Sequence, residues 1–521
     1  MEEEPFMTTK AISSLVLAGA LVLLGQLYHV LILKPRRIRS KLLKQGIKGP
    51  SPVFLYGNIP EMKSIQIQTH SSVEGKTAEN LSHAWPATVF PHLQQWRNEY
   101  GPVFVYSTGN VQTLCIMDPE IVKELSLSNS LNLGKPSYIA RDYGPLFGQG
   151  IFTSNGPYWA FQRKIIAPEF YLDKVKDMIS LMVDSTSTIL QFWKSKTKDQ
   201  TGDVEIRVDE DLTSLSADII SRACFGGSYS QGEEIFSKLH ALQKLMSKRN
   251  IGVPGSRYFP SKHNREACRL KEEIDSMILN VVKVRNEAKH DKDLLQLILD
   301  AAKSDGDKSG LPSDFACNKF IIDNCKSIYF AGHETTALSA SWCLMLLAKH
   351  PEWQARVRAE VLEVCRHNPP GADELRSMKL LNMVTQEALR LYPPSAFLAR
   401  EALQDINLKG ILVPKGINIQ VPVAFLHQHP ELWGTDAHTF NPERFADGIA
   451  RACKIPQAYM PFGAGSRICV GQHFAMTELK VILSLVLSQF SFSLSPTYRH
   501  SPAFQLVIKP QYGVKLHVRR L

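Results

Sequence analysis

The cysteine at position 469 stands in the run Pro461-Phe-Gly-Ala-Gly-Ser-Arg-Ile-Cys-Val-Gly471, just before a predicted amphipathic helix from His473 to about Leu487. Arg467 and the N-terminus of that helix would both favour a negatively charged sulfur, so we expect a thiolate that binds a metal or acts as a nucleophile. Zinc would need three further Cys, His or carboxylate ligands, and no Cys-x-x-Cys pair lies nearby. A buried structural cysteine is the alternative interpretation.

A second group of unusual residues is the run Ala331-Gly-His-Glu-Thr-Thr336, inside a helical pattern. Gly332 costs roughly 1 kcal/mol relative to alanine in a helix interior. Thr335 and Thr336 also weaken a helix, because their hydroxyls compete for backbone carbonyls. The run therefore predicts a local opening of the helix beside a ligand. Glu334 and Thr335 project about 100° apart, so they cannot both point at one atom. An exposed glutamate and a packing threonine are the alternative.

Two further spacings place charged or aromatic side chains on one face of a helix. Glu387 and Arg390 are three residues apart, close enough to form an ion pair. Trp159 and Arg163 are four residues apart. A solvated surface pair is by far the commoner meaning of such spacings. They become candidates for function only beside a site that requires them.

The composition fits one large domain in a reducing compartment. The chain has 521 residues, 44% of them hydrophobic, which is enough for a large core. Nine cysteines are scattered without even spacing, which favours unpaired thiols over a disulfide framework. The net charge of +10 could attract nucleic acid, anionic lipid or an acidic partner. Much of the excess lies in the basic stretch from Lys34 to Lys48. The partners expected are a lipid bilayer and other proteins, with no nucleic acid.

The N-terminus is predicted to be a membrane anchor, residues 1–33, with a helix over about 11–33. This segment is largely apolar and long enough to cross about 30 Å of hydrocarbon. Glutamates precede it and the basic stretch follows it, so the positive-inside rule puts the rest of the chain in the cytosol. A cleaved signal peptide would need a basic region before the segment and a small-residue cleavage site after it, and neither is convincing here. A peripheral helix is the alternative interpretation. Residues 34–52 are expected to be a linker with a stiff, proline-rich end, and residues 53–521 one domain.

The domain is predicted to be mainly helical with small β-sheets. The pattern between about Tyr158 and Leu391 is mostly helical. Strand-like segments are short and lie near both ends of the chain, so the sheets would be assembled from distant segments. The predicted strands are Val103–Tyr106, Thr113–Met117, Ile417–Val421, Phe504–Ile508 and Gly513–Val518.

The pattern Phe462-x-x-Gly465-x-Arg467-x-Cys469-x-Gly471 resembles the haem-binding signature of the cytochromes P450. The resemblance implies that Cys469 is the axial ligand of the iron in haem b, and that the loop glycines leave room for the flat cofactor. It covers essentially the whole chain, with five motifs in the family's order. It implies the family's single-domain fold behind an N-terminal transmembrane helix.

The same resemblance gives roles to the other groups. In the family's oxygen-activating motif, Ala331 and Gly332 would line a groove for O2, Thr335 would hydrogen-bond the oxygen, and Glu334 would supply protons through water. Glu387, Arg390 and Arg444 match the ExxR and PERF elements, which implies a buried network that positions the haem loop. Cations are needed for the two haem propionates, and a guanidinium suits a carboxylate. The matching propionate partners are Trp159, Arg163, Arg400 and Arg467.

The activity implied is that of a monooxygenase, which inserts one atom of O2 into a hydrophobic small molecule. Electrons would come from NADPH through a separate flavoprotein, NADPH–cytochrome P450 reductase, at the endoplasmic reticulum membrane. The chain ends 52 residues after Cys469, which leaves no room for a fused flavin domain. Other possibilities are a reductase-independent isomerase or dehydratase of the same fold, and a non-catalytic haem binder.

The amino-acid sequence around the oxygen-activating motif is most similar to that of the gibberellin-oxidising subfamily. This resemblance implies hydroxylation or epoxidation of a tetracyclic diterpenoid acid. A cytokinin or brassinosteroid hydroxylase is the alternative. A carboxylate on the substrate would need a buried cation or several donors, and none can be identified from the sequence. By position in the family, the residues expected to line the substrate pocket are Phe330, Ser395, Ala396, Phe397 and Phe504.

Overall fold

The computed structural model describes residues 4–73, 82–128, 130–197, 203–226, 229–247, 252–256, 258–287, 293–306, 313–366 and 368–521. Helices dominate and the sheets are small, which confirms the predicted fold class. The helices of ten or more residues are Glu4–Tyr28, Lys34–Leu43, Ile59–Val73, Pro91–Tyr100, Gly156–Ile166, Ile179–Thr197, Val208–Phe225, Tyr229–Ser247, Lys262–Glu287, Leu294–Gly306, Ser313–Lys349, Pro351–Cys365, Lys379–Leu391 and Gln472–Gln489.

Shorter helical segments connect these. The α-helical ones are Pro86–Val89, Pro119–Leu127, Ser137–Asp142, Gly144–Phe147, Leu172–Asp177, Ala372–Ser377, Val423–His427, Pro430–Trp433 and Ile449–Ala452. Single turns of 3₁₀-helix are Ala167–Phe170, Pro442–Phe445, Pro456–Ala458 and Gly465–Arg467.

The sheets join distant parts of the chain. The strands are β1 Val103–Thr108, β2 Val111–Ile116, β3 Leu133–Gly134, β4 Val204–Arg207, β5 Phe397–Ala402, β6 Ile406–Leu408, β7 Ile411–Val413, β8 Asn418–Pro422, β9 Phe490–Leu494, β10 Pro502–Gln505, β11 Val507–Pro510 and β12 Lys515–Arg520. One sheet has the order β1-β2-β8-β5-β3 and another β4-β12-β9, while β6-β7 and β10-β11 are hairpins. The prediction of one strand over Phe504–Ile508 is wrong: the chain reverses at Leu506, whose φ is 67°.

The helix Ser313–Lys349, which we call the cavity helix, runs through the centre of the domain. Almost every residue from Phe320 to Ala348 is buried or half-buried, as expected of a helix that is covered on all sides. It remains helical through Gly332, so the predicted opening does not interrupt it. A Cβ atom on Gly332 would lie 2.5 Å from Cγ1 of Ile220 on the helix Val208–Phe225. The glycine therefore permits close packing of two helices.

The N-terminal helix extends beyond its predicted end at Leu33. A π-helical turn, His29–Leu33, leads directly into Lys34–Leu43. Ile38 and Leu42 are buried in the core, and Arg39 donates to the carbonyls of Gly49 (3.0 Å) and Pro50 (2.6 Å). The predicted linker is thus packed on the domain. Among the helices of the described residues, one, Ile12–Leu43, is long and apolar enough to cross a membrane; its apolar stretch has a mean hydropathy of 2.1 and is not buried.

The helix Gln472–Gln489, which we call the cysteine helix, carries a carboxyl group in the core. Glu478 is fully buried, and neither carboxyl oxygen has a hydrogen-bond partner among the described residues. Desolvation raises the pKa of Glu478 to about 8, against the opposing effect of the nearby Ser216 hydroxyl. Glu478 is therefore mostly protonated at neutral pH.

A pH-dependent loss of stability follows from this burial. A carboxyl group with a folded pKa of about 8 and an unfolded pKa of about 4.3 contributes stability below the unfolded value, and loses it as pH rises through the folded one. The glutamine variant has no such titration. Between about pH 5 and pH 9 we therefore expect the unfolding free energy of the wild type to fall by several kcal/mol relative to that of Glu478→Gln. Denaturant unfolding across that range measures the difference.

The control is Glu363→Gln, which changes an exposed glutamate and should follow the wild type at every pH. Parallel curves for the wild type and Glu478→Gln would show that the Glu478 carboxyl group is not held neutral by burial.

Candidate active site

One cavity brings together residues that are far apart in the sequence. Cys469 forms part of one wall, and Ala331, Gly332 and Thr335 of the cavity helix form part of another. Other residues singled out from the sequence also line it; these are Trp159, Arg163, Ser395, Phe397, Arg400, Phe462, Arg467 and Gly471.

The loop before the cysteine helix aims the sulfur at the cavity. The Cys469 amide donates to the carbonyl of Phe462 at 2.9 Å, which closes the loop. Gly463 and Gly465 have φ values of 76° and 70°, which favour glycine. Gly465 does not line the cavity: a Cβ atom there would lie 2.8 Å from the carbonyl oxygen of Ser128. The expectation that Gly465 leaves room for a flat ligand is wrong. The absence of a side chain at this position instead allows the loop to pack closely against the backbone of Ser128.

The electrostatics at the sulfur differ from those expected. Desolvation inside the domain raises the pKa of the Cys469 thiol, although the side chain is exposed to the cavity; the Gly471 amide, Arg163 and Lys135 oppose this effect. Arg467 instead donates to the carbonyl of Ser154 at 3.0 Å and to Oδ1 of Asn155 at 2.7 Å. The interpretation of Arg467 as the charge that ionises the cysteine is therefore wrong. A metal cation bound to the sulfur would favour the thiolate.

Four cationic side chains line the cavity, and none of them forms an ion pair with a carboxylate of the described residues. Arg163 donates to the carbonyl of Ile468 at 2.9 Å and Arg400 to that of Ala464 at 3.0 Å. No carboxylate of the described residues forms an ion pair with them, with Arg467 or with Lys135. Burial lowers the pKa values of Arg400 and Arg467 to about 10, and Arg400 and Arg163 add to the effect on Arg467. A dianionic ligand would compensate this charge.

Lys135 is the member of this set that the sequence did not reveal. Burial lowers its pKa to about 7, with repulsion from Arg400 and Arg467, and its ammonium group lies 4.6 Å from the centre of the Phe152 ring. Trp159 is covered in the same way by Arg467, whose Cζ lies 4.2 Å from the indole ring. A single lysine outside any motif gives no signal in the sequence.

The two polar neighbours on the cavity helix face different surroundings. Thr335 lines the cavity, and its Oγ1 donates to the carbonyl of Ala331 at 2.7 Å. Glu334 does not line it; its buried carboxylate pairs with Lys509 of β11, and its Oε2 lies 3.5 Å from Nε2 of His333. The pKa of Glu334 stays below its ordinary value, because Lys509 and the nearby histidines outweigh burial.

Comparison with known proteins shows the family to which this fold belongs. The family model described as "Cytochrome P450" matches residues 82–518. The chain belongs to the cytochrome P450 family. Within the family it is similar to "Cytochrome P450 714C2" of Oryza sativa subsp. japonica, with 50% identity over 511 residues and 96% of each chain covered.

Other comparisons agree. "Cytochrome P450 714A2" of Arabidopsis thaliana is 45% identical over 530 residues, covering 99% of this chain and 100% of that protein. The solved structure described as "Crystal structure of cytochrome P450DA heme domain" has a TM-score of 0.71 at 25% identity, covering 84% of this chain and 93% of the other. The chain is therefore a haem monooxygenase of the 714 group of plant P450s, and its N-terminal helix is long and apolar enough to cross a membrane.

The cavity of this P450 fits haem. The thiol of Cys469 faces the cavity, and the four unpaired cations suit the two carboxylates of the cofactor. Among the described residues no group of three His, Cys, Asp or Glu side chains could hold a metal ion. An iron already held by a macrocycle needs only one such protein ligand, which is what the cysteine loop offers.

Three of the predicted substrate-pocket residues do not line the cavity. Phe330 packs on Phe147, with ring centres 5.1 Å apart, and Ala396 is buried. Phe504 packs on Phe90 and Phe397, at 5.3 and 5.6 Å. These three expectations are wrong, because none of the three lines the cavity: Phe330 and Ala396 are buried between elements, and Phe504 is partly exposed. Lining residues that the sequence did not reveal include Ile151, Phe152, Ile220, Val423 and Met460.

Glu387, Arg390 and Arg444 come together outside the cavity. The ion pair between Arg390 and Glu387 is bidentate, with both N–O distances 2.7 Å, and both side chains are fully buried. Nε of Arg444 lies 3.5 Å from Oε1 of Glu387. The network fixes the end of the helix Lys379–Leu391 against the segment around Ala437, whose carbonyl accepts from Arg390 at 2.6 Å.

A buried histidine links this network to the cysteine loop. His427 Nε2 accepts the amide N–H of Met460 at 3.0 Å, and its Nδ1 lies 3.1 Å from the carbonyl of Arg390. Burial and the Arg390 charge lower the pKa of His427 to about 3, so the ring is neutral. Its Nδ1 must then carry the proton and donate to Arg390. Met460 lies directly before the loop that carries Cys469, so the network supports that loop.

Loss of Glu387 should be severe. Glu387→Ala leaves the Arg390 charge buried without its partner, which costs about 3–5 kcal/mol, and we expect a matching fall in unfolding free energy and in haem content. Denaturant unfolding and the haem-to-protein absorbance ratio measure these changes. The control is Glu120→Ala, which removes a half-exposed pair with Lys409 and should cost less than about 1 kcal/mol. Equal losses in the two variants would rule out the buried network as a support of the loop.

Proposed function

We propose that this P450 inserts one atom of O2 into a plant diterpenoid hormone or precursor, by hydroxylation or epoxidation of a gibberellin-type acid. The observation that carries the monooxygenase part is the shared cavity, with Cys469 on one wall and Thr335 on another. When bound, haem supplies the oxidising chemistry, and Cys469, Lys135, Arg163, Arg400 and Arg467 would hold it.

The role proposed for Thr335 is to hold a proton donor at the cavity wall. Its hydroxyl is bonded to the carbonyl of Ala331, which fixes the position of Oγ1 while the side chain faces the cavity. A hydroxyl can turn from the carbonyl to a ligand. Ala331 and Gly332 present small surfaces beside it, so an oxygen ligand could approach the helix there.

Glu334 is proposed to connect this wall with solvent. Lys509 pairs with Glu334 and is only 13% exposed, whereas the ring of His240, 4.0 Å from the carboxylate, is 55% exposed. Oε2 of Glu334 has no hydrogen-bond partner among the described residues. It can therefore accept a proton that arrives from His240 and pass it through water towards Thr335.

Electrons are proposed to come from NADPH through a separate NADPH–cytochrome P450 reductase at the endoplasmic reticulum membrane. The anchor helix within residues 4–43 is followed directly by the packed segment that leads into the catalytic domain, residues 53–521. A lipid bilayer would keep both proteins on one surface. This assignment of the reductase, of O2 and of the membrane rests on the family resemblance.

The diterpenoid is supported by the resemblance of the cavity-helix sequence and by the apolar cavity walls contributed by Ile151, Phe152, Phe397 and Val423. The test is co-expression with a plant reductase in microsomes supplied with NADPH, O2 and gibberellin precursors. We expect a diterpenoid acid with one added oxygen atom, labelled when ¹⁸O2 is used.

Exclusive oxidation of an adenine or steroid compound would overturn the substrate assignment. Turnover that needs neither reductase nor O2 would indicate an isomerase or dehydratase. A haem-loaded protein without turnover on any of these compounds would indicate a haem binder.

Replacement of Thr335 tests the proton donor. Thr335→Val removes Oγ1 but keeps the shape of the side chain, and product formation should fall about tenfold or more, since a positioned proton donor contributes at least that much. NADPH oxidation should continue and release hydrogen peroxide. The ratio of product to NADPH consumed is the measurement.

The control is Ser339→Ala, which removes another cavity hydroxyl, bonded to the carbonyl of Thr335. Its ratio should match that of the wild type. An unchanged ratio in Thr335→Val would exclude the proposed role.

A further inference from the structure

The loop between the helices Gly144–Phe147 and Gly156–Ile166 forms part of the cavity wall. Its residues Ile151 and Phe152 line the cavity. The loop has no regular secondary structure, so its backbone polar groups need partners outside a helix or sheet. These partners determine where the two side chains stand.

Two residues of the cavity helix supply such partners. Oδ2 of Asp323 accepts the amide N–H of Gln149 at 2.8 Å, and Oδ1 of Asn324 accepts that of Ile151 at 2.9 Å. The Asn324 amide group also donates to the carbonyl of Phe320 at 3.0 Å, which fixes its orientation. We call Asp323 and Asn324 the loop clamp.

Two glycines bring the loop against the clamp. A Cβ atom on Gly148 would lie 1.9 Å from Oδ1 of Asp323, and one on Gly150 would lie 2.5 Å from Oγ of Ser327. Gly148 also has a φ of 54°. Side chains at these positions would push the loop away from the helix, so the close contact is specified by the sequence.

Asp323 of the loop clamp also contacts a buried positive charge, that of Lys326. Nζ of Lys326 is 3.7 Å from Asp323 and 2.9 Å from Asp275, and the Lys326 side chain is fully buried. Asp275 belongs to the helix Lys262–Glu287. Lys326 therefore retains an acidic partner when Asp323 is replaced, so a variant at Asp323 does not strand the lysine.

We propose that Asp323 and Asn324 are positioning residues for ligand selectivity, because they hold Ile151 and Phe152 at the cavity wall. The effect should reach only those ligands that are large enough to touch the loop. The proposal deepens the proposed function. It rests on that function in one respect only, namely that the cavity binds a second ligand next to haem. It does not depend on a gibberellin being the substrate.

The test uses the full-length haem-loaded protein and two probes that bind haem iron through an imidazole nitrogen. Imidazole is small, whereas clotrimazole carries three aromatic rings into the surrounding cavity. In Asp323→Ala we expect clotrimazole to bind about tenfold more weakly, the effect of one lost hydrogen bond, while imidazole binding stays unchanged. Spectral titration gives both dissociation constants. Asp323→Asn keeps a carbonyl acceptor for Gln149 and should restore clotrimazole binding.

Two further measurements separate positioning from general damage. Hydrogen exchange of the amides between Gly148 and Phe152 should accelerate in Asp323→Ala, a readout that does not depend on activity. If Asp323 acts through Phe152, the double variant Asp323→Ala/Phe152→Ala should bind clotrimazole no more weakly than Phe152→Ala alone.

Equal weakening of both probes, fully additive effects or unchanged exchange would overturn the proposal. Should Asp323→Ala fail to retain haem, Asn324→Ala provides the same comparison at the Ile151 amide. Failure of the diterpenoid experiment would leave these titrations unaffected, so the two failures can be told apart.

Discussion

The buried guanidinium of Arg390 holds together the parts of the chain from which the active site is built. Besides its bidentate pair with Glu387, it donates to the carbonyls of His427 (2.7 Å), Ala437 (2.6 Å) and Thr439 (3.0 Å). Such a group is costly to bury unless its donors are satisfied and its charge is paired. The chain segments that supply these carbonyls must therefore take up their places together. The cysteine loop is positioned by the same network, because Met460, directly before the loop, donates to His427.

The cavity itself has the opposite electrostatic character. Four cations converge on it and donate only to neutral groups, so the protein alone bears repulsion that a dianion relieves. Desolvation inside the domain raises the pKa of the Cys469 thiol, so a metal cation that binds the sulfur must displace its proton. The unpaired cations, in contrast, favour an iron porphyrin that carries two carboxylates. The protein is thus built around a ligand whose charges complete those of the walls, and haem binding should contribute to folding.

The sequence predicted the chemistry of this site better than its geometry. Cys469 and the Glu387–Arg390 spacing lie in short motifs, and the hydrophobic pattern indicated a helical domain. Contacts between elements left no such signal. The closeness of Gly332 to Ile220 is a property of two packed helices, and the basic stretch after Leu33 is helical because Ile38 and Leu42 find a core to pack on. Lys135 could not be found for the same reason, since its role depends on the distant Arg400 and Arg467.

The cavity helix shows why hydrophobic patterning has little to say about function here. Its polar residues lie on several faces, and each face meets a different neighbour: Asp323 and Asn324 meet a loop, Thr335 meets the cavity, and Glu334 meets β11. A helix with an ordinary amphipathic stripe would expose such residues to water. Because this helix is covered on every side, each of them needs a specific partner. Those partners divide one continuous helix into a part that holds a loop, a part that lines the cavity and a part that pairs with β11.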